Sequence, residues 1–130
     1  MQDKNYYEQL EKLFEQKYSG FVEIYRLTKE LDDVLRSNDK DSVKIVMKMR
    51  GEEMERINVL NEKIEEICRF LPSQEAAFLK QEPKDDFCPE GLQKIMTIRK
   101  RNQRALEKII EIDRAFCNRI GGRKSFYGGR

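Results

Sequence analysis

Histidine is missing from this 130-residue sequence, and its absence excludes several kinds of site. The chain cannot supply the Glu-x-x-His ligands of a di-iron bundle, the histidine of a phosphotransfer bundle or the base of a histidine triad. Cys/His zinc sites are excluded too, and three dispersed cysteines cannot complete a four-sulfur site. We therefore predict no catalytic residue, no metal ligand and no cofactor, and we expect no enzyme activity. A helical enzyme using carboxylates, Lys and Arg is the alternative, and it would need several buried basic residues in one pocket.

Glycine and proline are also scarce, at 7 and 3 residues, while charged and apolar residues each make up 38% of the chain. This composition is typical of long helices. No apolar run approaches the ~18 residues of a membrane span, and the N-terminal MQDKNYY lacks the apolar core of a signal peptide. The odd number of cysteines and the lack of a CxxC pair suit a reducing compartment. We expect a cytoplasmic protein in which Cys68 and Cys117 are small core residues.

Apolar residues recur at helical spacing in three long stretches, which predicts an all-α fold. The first helix covers 3–36. The second follows an N-cap at Asn38 or Asp39 and continues to Pro72, which cannot extend it. Its apolar face is broad enough for two neighbours, so we expect the stretch 37–71 to organise the rest of the chain. The third covers 89–120, with Pro89 as its first residue.

The connections between these stretches favour an antiparallel up-down-up bundle of three long helices. Between the second and third helices, SQEAAFLKQE has the length for two helical turns that cover one end of the bundle, and PKDDFCPEG is predicted to be a loop. Residues 1–120 then form a single helical-bundle domain. The glycine-rich residues 121–130 form a flexible basic tail.

Polar residues within the apolar seams indicate how the second and third helices align. Antiparallel packing at one common stagger would pair Arg50 with Asp113 and Asn61 with Asn102. A salt bridge and an amide pair would fix that register at some cost in stability.

Charge is unevenly distributed, with net values of −2 for residues 1–36, −4 for 37–90 and +8 for 91–130. The sequence IRKRNQR places Arg99, Lys100, Arg101 and Arg104 close together, as a phosphate-binding surface would require. No aromatic residues interleave this cluster, and no recognition-helix or RNP motif accompanies it. A solvated face that complements the acidic helices is the favoured interpretation, and nucleic-acid binding or a generic coiled-coil adaptor is the alternative.

The third helix has more apolar surface than one seam requires. Met96, Ile110 and Cys117 flank the seam on one side, and Ile98, Ala105 and Ile112 flank it on the other. One interpretation is that Phe78, Leu79 and Phe87 of the linker cover this arc. The other is a groove for the amphipathic helix of a partner.

Length, helical layout and charge distribution are similar to those of the small flagellar type III export chaperones of the FlgN/FliT type. The local likeness is carried by LRSNDKDSVKIVMKMRGEEMERINVLNEKIEEI and by CPEGLQKIMTIRKRNQRALEKII, where Asn102 precedes an apolar stripe. It covers most of residues 37–120. This resemblance implies a cytosolic chaperone that holds the helical end of a hook-associated protein and delivers it to the export gate.

The resemblance also implies that the C-terminal region contacts partners. Our candidate partner-binding residues lie in the third helix and in the tail, where Phe126 and Tyr127 form the only aromatic pair. The full set is Met96, Leu106, Ile110, Cys117, Phe126 and Tyr127. The aromatic residues of the first helix leave a homodimer possible, because such residues can also form a self-association face.

Overall fold

The structure, a computed structural model, describes residues 2–83 and 88–120. These residues form four helices: α1 (Gln2–Arg36), α2 (Lys40–Cys68), α3 (Ser73–Lys80) and α4 (Gln93–Ile120). Within them there is no strand, so the predicted all-α class is confirmed. The predicted flexible basic tail at 121–130 lies outside the described residues, and so do Phe87, Phe126 and Tyr127.

A tight turn joins α1 to α2, and Asp39 is the residue that caps α2. Its carboxylate accepts from the Ser42 backbone N–H at 3.1 Å and from the Ser42 hydroxyl at 2.7 Å. These bonds satisfy a free donor of the first turn and lower the pKa of Asp39. Asn38 takes the turn with φ at 61°, a conformation that asparagine tolerates well. Of the two predicted N-cap residues, the structure selects Asp39.

The prediction that Pro89 begins the last long helix is wrong, because α4 starts at Gln93. The Leu92 N–H donates to the Pro89 carbonyl at 3.1 Å, and Gly91 has φ at 93°. Gly91 therefore has a left-handed backbone conformation, which causes no steric strain in glycine. A right-handed helix cannot continue through it, so α4 begins after Gly91. The first helical bond there runs from Met96 N to Leu92 O at 2.8 Å.

Helix α1, rather than α2, is the element on which the other long helices pack. Three groups of buried apolar residues lie along it, and each includes residues of α1 and α2. The first group holds Leu10, Phe14, Ile64, Cys68, Leu79, Leu92 and Ile95; the second holds Phe21, Ile24, Ile57 and Ile109; the third holds Leu27, Leu31 and Val46. Early residues of α1 therefore meet late residues of α2 and early residues of α4. The expectation that 37–71 organises the chain is wrong, because α2 has only one long neighbour.

Helix α3 closes the end of the core where α1 begins. Leu79 belongs to the same buried group as Leu92 and Ile95, and Phe78 packs against that group. The Tyr7 hydroxyl also donates to Glu75 at 2.7 Å. The described part of the linker thus covers the start of α4, as one interpretation of the apolar arc required, while Ile110 stays 38% exposed.

The two predicted polar pairs have different outcomes. Arg50 donates to Asp113 at 2.7 Å, which confirms that contact between α2 and α4. The Asn61–Asn102 pair is wrong. Asn102 instead donates to the Phe14 carbonyl of α1 at 3.2 Å, and Asn61 is exposed. The physical reason is that α4 packs against α1, which brings the buried side-chain amide of Asn102 next to the α1 backbone.

A furrow between α2 and α4

Helices α2 and α4 both pack on α1 but not directly on each other. Within the described residues, no Cα atom of α2 comes within 8 Å of a Cα atom of α4. Directly packed helices have axes about 8–10 Å apart, and their facing Cα atoms come closer than that. A furrow therefore runs along the molecule, with α1 as its floor. We call it the α2–α4 furrow.

A stripe on α4 follows this furrow, with Arg99 at one end, Leu106 and Ile110 as the wall, and Cys117 one turn beyond Asp113. These residues are separated by seven, four and seven positions, which places them on one side of a helix. Leu106 packs against the buried group around Phe21, while Ile110 is 38% exposed. The wall is thus apolar, with its base buried and its rim open.

The facing wall belongs to α2 and consists of Met54 and Asn61, and Met47 continues the same seven-residue repeat on the far side of Arg50. Asn61 lines a cavity together with Arg99 of α4, which shows that this side of α2 faces the furrow. Met47 and Met54 are 40% and 37% exposed. Methionine side chains are flexible and polarisable, so they adapt to the shape of an apolar partner.

Both ends of the furrow are closed by polar contacts. At one end Arg50 bridges to Asp113, and its Nε also donates to the Thr28 hydroxyl of α1 at 2.9 Å. The Thr28 hydroxyl in turn donates to the Ile24 carbonyl at 2.7 Å. At the other end, Arg99 donates to the Gln81 carbonyl of the segment that follows α3.

Lys17 on the α1 floor of the furrow and Arg99 at its closed end both lie near the Phe14 ring. The Lys17 Nζ is 5.6 Å from the centroid of the Phe14 ring, and the Arg99 guanidinium carbon is 6.0 Å from the same centroid. Burial lowers the pKa of Lys17, and the Arg99 charge lowers it further. Burial likewise lowers the pKa of Arg99. Both residues border a cavity of about 340 Å³, which Asn61 also lines.

Four of the predicted partner-binding residues lie in the described part of the chain, and the structure brings two of them to the furrow. Leu106 and Ile110 form its apolar wall, and Cys117 packs against the buried group around Leu27. Met96 is buried beside the end of the furrow that contains Arg99. Phe126 and Tyr127 are outside the described residues.

Sequence reasoning missed Lys17, Arg99 and the methionine wall as parts of one site. The signal was present, since Lys17 and Arg99 both interrupt apolar seams. A charged residue at a seam position is costly to bury and marks either a pair or a site. Lys17 and Arg99 also supply two of the buried basic residues that the enzyme alternative requires.

The basic cluster of α4 does not form one continuous face. Arg99 is buried, while Arg101 pairs with Glu15 and has its guanidinium carbon 3.8 Å from the centroid of the Tyr18 ring. Of the four cluster residues, only Arg104 is exposed. Two of the four charges, those of Arg99 and Arg101, therefore contribute to packing between α4 and α1.

Comparison with family models, curated proteins and solved structures finds no match to this chain. Residues 2–83 and 88–120 contain no helix with the length and hydropathy to cross a membrane. Over those same residues, no cluster of cysteine, aspartate and glutamate side chains has the arrangement of a metal site.

Proposed function

We propose that this protein is a cytosolic export chaperone of the flagellar type III kind, which holds an amphipathic helix of its client in the α2–α4 furrow. The observation that carries the proposal is the separation of α2 and α4 on a shared α1 floor, with exposed apolar side chains on both walls. A hook-associated protein is the proposed client, and the export gate is the proposed destination.

The proposal includes the topology of the bundle. We infer that α1, α2 and α4 run up, down and up, because early α1 residues share buried groups with late α2 and early α4 residues. Three helices in that order occupy three corners of a four-helix bundle. A client helix in the furrow would occupy the fourth corner and bury the exposed side chains of both walls.

The length of the furrow limits the helix that it can accept. From Arg99 to Asp113, α4 advances 14 residues, or ~21 Å at ~1.5 Å per residue. A client segment of about four turns would fit between the closed ends. Its anchors would be apolar residues at i, i+3, i+4 and i+7, which meet Met54, Leu106 and Ile110.

A second groove along α1 is the competing surface. It lies between α1 and α2, is bordered by Gly20, Ile57 and Val59, and has a volume of about 650 Å³. Val59 is 48% exposed and lies about half a helical turn from Arg50, on the opposite side of α2 from the furrow. Charged residues, including Glu23, Glu53 and Arg56, rim this groove, but its lining is mainly apolar, so the experiment has to separate it from the furrow.

The experiment compares Ile110→Asp with Val59→Asp, because both replace an exposed apolar side chain by a charge. Peptides from the terminal helices of hook-associated proteins are titrated into each variant by calorimetry, with circular dichroism as the check on helix content. We expect Ile110→Asp to weaken binding at least ~10-fold, or about 1.4 kcal/mol, and Val59→Asp to leave it unchanged.

Three outcomes would contradict the proposal. Loss of binding in Val59→Asp alone would move the site to the groove between α1 and α2. Failure of every such peptide to bind the wild-type protein would remove the chaperone assignment. A concentration-dependent dimer that Ile110→Asp dissociates would show that a second copy of this chain occupies the furrow.

A further inference from the structure

Lys17 is partly buried and Arg99 is buried, and neither cation forms a salt bridge with a carboxylate among the described residues. Arg99 is only 9% exposed, and its Nη2 donates to the Gln81 carbonyl. Its Nη1 is buried and has no hydrogen-bond partner among residues 2–83 and 88–120. The Lys17 Nζ has ring faces as its neighbours, at 5.6 Å from the centroid of Phe14 and 5.9 Å from that of Phe21. Ring faces only partly replace the lost hydration of an ammonium group.

The other two arginines packed between helices each have a carboxylate partner. Arg50 has Asp113 as its partner, and Arg101 has Glu15. A buried cation without an anion is costly, and two of them near each other repel. The lowered pKa of Lys17, caused by burial and by Arg99, agrees with that repulsion.

The space beside these cations has charged and polar side chains on its wall and is large enough for a ligand. The cavity of about 340 Å³ is lined by Lys17, Asn61, Glu65, Lys80 and Arg99 among others. Three cations and one carboxylate leave it with a positive charge. Since a water molecule occupies ~30 Å³ of liquid, the cavity has room for an oxyanion together with several waters.

We propose that Lys17 and Arg99 form a binding site for a small oxyanion, which accepts from Arg99 Nη1 and from the Lys17 ammonium group. The ligand has phosphate or carboxylate chemistry, because both groups present several oxygen acceptors to a guanidinium and an ammonium donor. The inference is independent of the proposed chaperone function, since it concerns a cavity at the floor of the furrow and an ion rather than a helix.

The test uses inorganic phosphate and acetate as separate probes, with sodium chloride at matched ionic strength as the reference. Thermal unfolding is followed by circular dichroism, and phosphate and acetate are also titrated by calorimetry. We expect at least one of the two anions to raise Tm with saturation in the millimolar range. Phosphate also stabilises proteins by exclusion from their surfaces, which does not saturate and does not depend on one lysine.

Lys17→Met is the decisive variant, because methionine keeps the apolar stem and removes the charge. We expect its Tm without anions to equal or exceed that of the wild type, and its saturable response to be lost. Lys63→Met, at an exposed position of α2, is the matched control and should keep the response. Arg99→Met is a weaker test, because Arg99 also holds the Gln81 carbonyl and its loss disturbs the fold.

Asp85 and Asp86, two and three residues after Pro83, are carboxylates of the chain itself that would compete with an added anion for Lys17 and Arg99. The titrations are therefore repeated in the Asp85→Asn/Asp86→Asn variant. A saturable response in either background that Lys17→Met abolishes supports the site. Equal responses in the Lys17→Met and wild-type proteins, or no saturable response in either background, overturn it. The phosphate and acetate arms then distinguish the two ligand chemistries.

Discussion

Arg50 of α2 donates to the Asp113 carboxylate of α4 at 2.7 Å, and its Nε donates to the Thr28 hydroxyl of α1, so one arginine links the three long helices. The Arg50 side chain is 6% exposed and that of Asp113 is 19% exposed, which shields the pair from solvent screening. Thr28 is fully buried and orients the guanidinium through its hydroxyl. The pair fixes the separation and the register of the two furrow walls.

The first prediction concerns this pair. Asp113→Leu should lower the free energy of unfolding by about 2–3 kcal/mol, because it removes the carboxylate that a buried guanidinium contacts at 2.7 Å. Adding Arg50→Met should restore much of the loss, so that the double-mutant cycle gives a coupling above ~0.5 kcal/mol. Urea unfolding of the four proteins provides the measurement. Strictly additive losses would mean that the two side chains do not interact in solution.

The register of α2 and α4 was partly predictable because a buried charge must find a partner. Arg50 and Asp113 both interrupt apolar seams, and pairing them gave the correct contact. The same reasoning predicted an Asn61–Asn102 pair and was wrong, because the Asn102 amide donates to the Phe14 carbonyl. A backbone acceptor of another helix is invisible to a search for polar side-chain pairs.

The central position of α1 and the start of α4 were not predictable from the same patterns. All three long stretches carry apolar faces of similar breadth, so amphipathicity alone could not show which helix has two long neighbours. Pro89 suits the first turn of a helix, but Gly91 takes a left-handed conformation two residues later. The spacing predicts Leu106 in the seam of the third helix and Ile110 beside it, whereas the position of Met54 opposite them depends on how α2 and α4 pack on α1.

The second prediction contrasts two helical glycines. A Cβ added at Gly20 would lie 3.1 Å from both Cδ1 and Cγ1 of Ile57, whereas one added at Gly51 would meet nothing within 4 Å. Gly51→Ala should therefore stabilise the protein by about 0.5–1 kcal/mol through helix propensity alone. Gly20→Ala gains the same helix propensity but overpacks the contact between α1 and α2, and we expect a net loss of stability of about 1 kcal/mol.

Thermal unfolding of the two alanine variants measures this contrast, with the wild type in the same buffer. Gly20→Val should lose more than Gly20→Ala, since a larger side chain moves Ile57 further. Equal stabilisation by both alanine substitutions would show that the two helices do not approach closely at Gly20.

The third prediction is a pH dependence at Lys17. Its pKa is lowered from 10.5 by burial and by the Arg99 charge, so the folded protein releases this proton more readily than the unfolded chain does. Between the folded pKa and 10.5 the unfolded state binds more protons, and stability therefore rises with pH. The unfavourable contribution of charged Lys17 is fully present below the folded pKa.

Lys17→Met isolates this effect from the titration of other groups. The wild type should gain stability relative to the variant as pH rises from neutrality towards 10.5, in buffers free of phosphate and carboxylate. Urea unfolding at several pH values in this interval provides the data. A constant difference between the two proteins would mean that the Lys17 ammonium group is well solvated in the folded state.

The last prediction separates binding of a client helix from binding of nucleic acid. Arg101 is unsuitable for this test, because its contacts with Glu15 and Tyr18 are structural. Arg104 and Lys108 are exposed one turn apart on α4 and carry the charge that a nucleic acid would meet.

If the furrow is the binding surface, Arg104→Glu/Lys108→Glu should change peptide affinity less than about twofold, and binding should show a negative heat-capacity change. If the basic residues of α4 bind phosphates, affinity for mixed DNA or RNA should fall steeply between ~50 and ~200 mM salt, and the charge reversal should abolish it. Titrations of the wild type and this variant with peptide, DNA and RNA at both salt concentrations distinguish the cases. We expect the peptide to bind with weak dependence on salt, because the exposed side chains of the furrow walls are mainly apolar and Arg99 of the basic cluster is buried beneath them.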